Sequence, residues 1–196
     1  MLRREILMKF KRIISIILLL ALCLCIFGCS INQNSKRAIS AKAIFNYLVS
    51  SSYELNVIFF GEGLEHHEVE NGELYAPVLS SEKYTTQEEL ESVAAEIFSS
   101  NYTESIINTA FIGNQGGITG TVNFARYIES YGCLTARVDY EPIKIAEYDF
   151  STTEITKISR KFIQGKIMTT NFDKNEYVEI TLINEDNGWR IDSATY

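Results

Sequence analysis

Apolar side chains recur at helical spacing from Ala41 to Phe59 (Ala41, Ile44, Phe45, Leu48, Leu55, Ile58, Phe59), and beyond Phe124 strict alternation replaces that rhythm. This change of period constrains the fold more than any other feature. A chain with its helices first and a meander of strands afterwards cannot interleave them into βαβ units. It predicts an α+β fold, N-terminal helices packed on a curved antiparallel β-sheet, as a single domain over residues 39–196.

The helices have legible ends. Ser40 is placed to cap the first, and Gly61 and Gly63 follow its last apolar position. Thr86 and Glu89 have capping-box spacing ahead of Leu90, Val93, Ala94, Ile97 and Phe98. A short third helix is expected after Ser99-Ser100-Asn101, with Tyr102, Ile106, Ile107 and Ala110 inward. The triplet Asn101-Tyr102-Thr103 reads as that helix start rather than as a glycosylation acceptor.

Among the strands, Leu74–Val78 carries Pro77 and so is expected at an edge. Phe124–Glu129 and Cys133–Tyr140 read as a hairpin turning at Ser130-Tyr131-Gly132. Ile143–Phe150 and a long Ile155–Thr170, bending near Gly165, come next. Tyr177–Ile183 and Trp189–Ala194 close the chain.

The first residues speak of location. Arg3, Arg4, Lys9, Lys11 and Arg12 precede or flank an apolar run, Ile13–Phe27, that ends at Gly28-Cys29. The run is shorter than the about 20 residues a spanning helix needs. It reads as a lipoprotein signal peptide over 1–28, with the lipid on Cys29 and a polar tether over 29–38. The expected location is therefore extracytoplasmic, lipid-anchored to the outer face of the cell membrane, where two or more acyl chains hold firmly.

Residues 1–28 hold five basic groups and one acidic group. The remainder carries 13 basic and 24 acidic residues, a net charge of −11. That argues against nucleic acid as a partner, which demands basic patches. Cys23 and Cys25 lie in the signal and Cys29 is committed to lipid. Cys133 then stands alone, and no intrachain disulfide can form.

Chemistry is harder to find. His66 and His67, between Glu65 and Glu68, resemble a ligand run, but adjacent side chains diverge and no further ligand is spaced for a metal. A solvated loop explains them better. Cys133 shares a strand face with Thr135 and Arg137, a placement that would favour a reactive thiolate, yet an inert strand thiol is the simpler reading. No metal, no cofactor and no catalytic residue is expected. The loop Gly113–Thr121 concentrates glycine without Lys or Arg. Its Gly113, Asn114, Gln115, Gly116, Gly117 and Thr119 form a candidate partner-binding segment.

Several phrases fall in a familiar order. Asn71-Gly72-Glu73-Leu74-Tyr75 is followed by Tyr84-Thr85-Thr86, a helix ending Ile97-Phe98-Ser99, then Ala125-Arg126-Tyr127-Ile128-Glu129 and a closing Gly188-Trp189-Arg190-Ile191-Asp192-Ser193. In this order the chain resembles the IseA family of extracytoplasmic proteins, inhibitors of cell-wall DL-endopeptidases, over roughly residues 40–196. The resemblance implies a non-catalytic protein that plugs the cleft of an NlpC/P60-type cysteine hydrolase with a protruding loop. The terminal Gly-Trp-Arg-Ile phrase is also similar to NTF2-like domains. That alternative, NTF2-like or cystatin-like, implies a small ligand or peptide held in the cup of the sheet, lined by Tyr140, Tyr148, Phe162, Tyr177 and Trp189.

Overall fold

The structure is a computed structural model that describes residues 36–69, 72–113, 125–171, 175–185 and 188–195. The chain divides into two compact units, Met1–Ala41 and Lys42–Tyr196. Of the first, only the helical residues 36–41 are described. The helix therefore begins before Ser40, inside the segment expected to be tether.

Helix α1 spans 36–59. Within the second unit it buries Phe45, Leu48, Val49, Ser52, Leu55, Asn56 and Phe59, the three- and four-residue spacing of one helix face. Two of these, Ser52 and Asn56, are polar and were invisible to a hydrophobic count. Asn56 earns its burial by holding the end of the chain: its Nδ2 donates to Thr195 O and Oγ1, both at 2.8 Å.

Strand β1 (Tyr75–Pro77) precedes α2 (Gln87–Ile97) and α3 (Ser100–Phe111). The capping box of α2 forms as expected, with Glu89 N donating to Thr86 Oγ1 at 3.2 Å and Thr86 N to Glu89 Oε2 at 3.2 Å. Helix α3 is capped by Ser99, whose hydroxyl accepts from Tyr102 N at 3.2 Å. Leu90, Ala94 and Ile97 of α2 and Ile106, Ile107 and Ala110 of α3 face inward.

The remaining strands are β2 (Tyr127–Ser130), β3 (Cys133–Arg137), β4 (Tyr148–Ile158), β5 (Phe162–Thr169), β6 (Tyr177–Glu185) and β7 (Gly188–Ile191). The class is α+β, with helices against antiparallel strands, and the strands divide into two sheets rather than one. The three-stranded sheet has the order β1-β3-β2, which puts Pro77 on an edge as expected; the four-stranded sheet runs β4-β5-β6-β7. Phe98, between α2 and α3, forms an isolated parallel bridge to Ile191 of β7.

Two strand expectations need correction. Residues 143–147 are irregular and the strand begins at Tyr148. The long Ile155–Thr170 strand is in fact the end of β4, a turn, and β5. Ser159 makes that turn: its hydroxyl accepts from Lys161 N at 3.0 Å and Phe162 N at 2.8 Å, the local side-chain bonding that ends a ladder. Gly165 lies within β5. It faces α1, and a Cβ there would lie 2.7 Å from Phe45 Cε2, so glycine is what lets the helix approach the sheet. One of the two register shifts of the β4–β5 ladder falls opposite it, between Ile155 and Lys157; the other lies between Asp149 and Glu154.

The inner face of the four-stranded sheet is filled. Ile163, Ile167, Ile180 and Leu182 are fully buried. Across β1-β3-β2 the inward positions are Ala76, Leu134, Ala136 and Tyr127. The β2–β3 turn holds Tyr131 at φ 55° and Gly132 at φ 73°. Positive φ at both central residues gives the tight turn whose twist matches the strands it joins.

Candidate functional site

The first candidates fare unequally. Cys29 lies outside the described residues, as do Asn114, Gln115, Gly116, Gly117 and Thr119. Gly113 is described: it closes α3 with φ 79° and donates to Asn108 O at 3.2 Å. His66 and His67 are exposed beside β1, with His67 N donating to Pro77 O at 2.9 Å. Among the described residues no three His, Cys, Asp or Glu gather as a metal would require. Cys133 is exposed at the start of β3. Arg137, the cation expected beside it, engages Asp139 Oδ1 at 2.5 Å. That bond holds the exposed Asp139 carboxyl below the usual range.

Of the five aromatic residues expected to line a cup, Trp189 pairs with Asn184 near the start of β7 and the other four are spread over separate places. Phe162 pairs with Ile183 and Tyr177 with Met168, which puts them at opposite ends of the β5–β6 ladder, and both are exposed. Tyr148 lines a groove of about 440 Å³ with Tyr53 and Phe150. Burial pushes its phenol up to about 12. Tyr140 belongs to a different place.

That place is built around Arg126, which sequence reasoning passed over. Arg126 sits in the run Ala125-Arg126-Tyr127, just ahead of β2, and is 5% exposed. Its Nη2 donates to Gly61 O at 2.6 Å, beyond the end of α1, and its Nε donates to Tyr127 Oη at 3.2 Å. The guanidinium lies 3.8 Å from the centre of the Tyr140 ring, a cation–π stack. Gly63, at φ 86°, is required beside it because a Cβ there would overlap Nη2. Nη1 is buried and has no hydrogen-bond partner among the described residues.

Tyr127 organises the neighbourhood. It is wholly buried, donates to Ile58 O at 2.8 Å and accepts from Leu64 N at 3.1 Å. Burial drives its phenol above its ordinary value despite the adjacent arginine. The phenol is therefore neutral and cannot balance Arg126. Among the described residues no carboxylate pairs with Arg126 either. Burying a cation costs several kcal/mol of solvation, of which the stacked ring and a carbonyl return only part.

Arg126 lines a cavity of about 170 Å³ together with Arg137, Leu64, Tyr127, Val138 and Tyr140. Glu62, His66 and Pro142, which share the lining, are solvent-exposed, so the cavity communicates with water. The arrangement can bind and orient an anion. Among the described residues, no Ser, Thr or Cys lines the cavity.

Sequence offered one faint signal for this site: a lone arginine next to a tyrosine inside an otherwise apolar stretch. Alternation alone would have put Arg126 outside. No protein-family model matches the chain, and no curated protein shows significant similarity to it in sequence.

Proposed function

We propose that this chain is a membrane-anchored, extracytoplasmic lipoprotein that works by binding rather than by catalysis. Its partner on this reading is a cell-wall hydrolase of the NlpC/P60 type, whose active-site cleft it obstructs. The anchor is the lipid on Cys29, and the acidic charge left after the signal favours encounter with a basic cleft, through steering that weakens with salt.

The observation that carries this reading is the β2–β3 hairpin. Tyr131 at its tip is completely exposed, in a left-handed backbone conformation that a tyrosine adopts only at some cost. A fully exposed aromatic side chain on a two-residue turn is a pre-ordered probe, of the residue type that dominates binding hot spots. The filled face of the four-stranded sheet supports the same reading over a ligand cup in that sheet. The Gly113–Thr121 loop, apart from Gly113, lies outside the described residues, so this proposal rests on the hairpin.

The test is an enzymatic titration. The intact lipoprotein in detergent is added to a DL-endopeptidase hydrolysing peptidoglycan, with an unrelated wall hydrolase as control. Saturable inhibition of the endopeptidase alone is expected. Equal effects on both enzymes, or none on either, would overturn the proposal.

A further inference from the structure

We propose that the Arg126 cavity is a binding site for a small carboxylate, a property independent of any hydrolase partner. The inference rests on three features of the site. A guanidinium 5% exposed keeps one nitrogen, Nη1, without an acceptor among the described residues. The one acidic hydroxyl in contact with it, on Tyr127, is held neutral by burial. The same guanidinium lines a cavity of about 170 Å³ that communicates with solvent.

The chemistry of the walls selects the ligand. Nε and Nη2 are already committed to Tyr127 Oη and Gly61 O. Both N–H groups of Nη1 and the second N–H of Nη2 remain, and Arg137, held by Asp139, also lines the cavity, so the wall suits the oxygens of a small anion. The Glu62 carboxylate at the solvent side offsets part of that positive charge and repels a dianion such as phosphate about twice as strongly as a monoanion. Leu64, Val138 and Pro142 offer apolar contact for a short aliphatic portion. The cavity thus matches a carboxylate bearing a few carbons, either a free acid or the C-terminus of a peptide.

The experiment uses the full chain and follows thermal unfolding and the Arg126 side-chain N–H resonances during titration at fixed ionic strength. Propionate is expected to raise the Tm as a ligand of the native state must, and to shift the Arg126 resonances saturably. Propionamide, its neutral isostere, is expected to do neither. Alanyl-alanine against its C-terminal amide separates the two sources. Stronger binding of the dipeptide acid than of propionate assigns the site to peptide C-termini, and the reverse assigns it to free acids.

Arg126→Gln is expected to weaken propionate binding at least tenfold. If that variant fails to fold, the wild-type resonances still decide. Equal responses to propionate and propionamide, a response to phosphate as strong as to propionate, or no response of Arg126 to any carboxylate would overturn the proposal.

Discussion

Replacing Gly165 by alanine tests the packing of α1 on the four-stranded sheet. The added Cβ would meet three carbons of the Phe45 ring at 2.7, 2.9 and 3.0 Å, where carbon atoms prefer about 3.5–4.0 Å. Phe45 is fully buried and has no room to retreat, so the ring or the helix must shift by roughly 0.5–1 Å against a close-packed core. Overpacking of this kind costs about 1–3 kcal/mol, which places Gly165→Ala near 2 kcal/mol. For a chain of this size that corresponds to a Tm lower by about 4–8 °C. The φ at Gly165 is not left-handed, so the whole cost comes from the ring. Phe45→Leu should therefore relieve it. In that background Gly165→Ala becomes neutral or slightly stabilising, because alanine restores about 0.5–1 kcal/mol of backbone entropy. The assay is urea denaturation of the two single variants and the double variant, read as midpoint shifts at constant m. The signature is a coupling of about 2 kcal/mol between the two sites. Additive effects, or a Gly165→Ala protein as stable as the parent, would refute the reasoning.

Three further outcomes follow from the same structure. Tyr131→Gly relieves a left-handed tyrosine and is expected to stabilise the protein by several tenths of a kcal/mol to about 1 kcal/mol, while weakening inhibition of the endopeptidase by about 30-fold or more, as loss of a hot spot would; inhibition kinetics and denaturation on one preparation check both. Burial raises the Tyr148 phenol from 10.0 to about 12, so its neutral form is favoured by folding. Stability from this group is complete below about pH 10 and is lost as pH rises toward 12, which pH-dependent denaturation of wild type against Tyr148→Phe would detect as a reduced alkaline loss in the variant. Cys29→Ala is expected to release the protein from the membrane fraction with unchanged thermal unfolding, by fractionation and calorimetry.

How far the sequence could be read depends on the kind of signal. The Thr86–Glu89 capping box, the edge position forced by Pro77 and the Tyr131-Gly132 turn were legible because each rests on local chemistry that tertiary contacts do not override. The break at Ser159 was missed because the cue is one hydroxyl bonding two backbone amides, inside a stretch rich in strand-forming residues. Division of the strands into two sheets depends on long-range pairing that periodicity does not encode. Arg126 was hidden for a related reason. Its burial depends on Gly61, Gly63 and Tyr140, distant in sequence, and nothing in the run around it announces that those groups converge. The aromatic residues assigned to a cup had the right composition but the wrong registers.

The most direct measurement of the central claim is the affinity of the intact lipoprotein for an NlpC/P60 endopeptidase in two forms, one free and one with a bulky alkyl group on its active-site cysteine. A protein that obstructs the cleft binds the free enzyme saturably and loses most of that affinity for the alkylated form. Equal binding to both forms would contradict obstruction of the cleft, and no binding to either would contradict the hydrolase partner altogether.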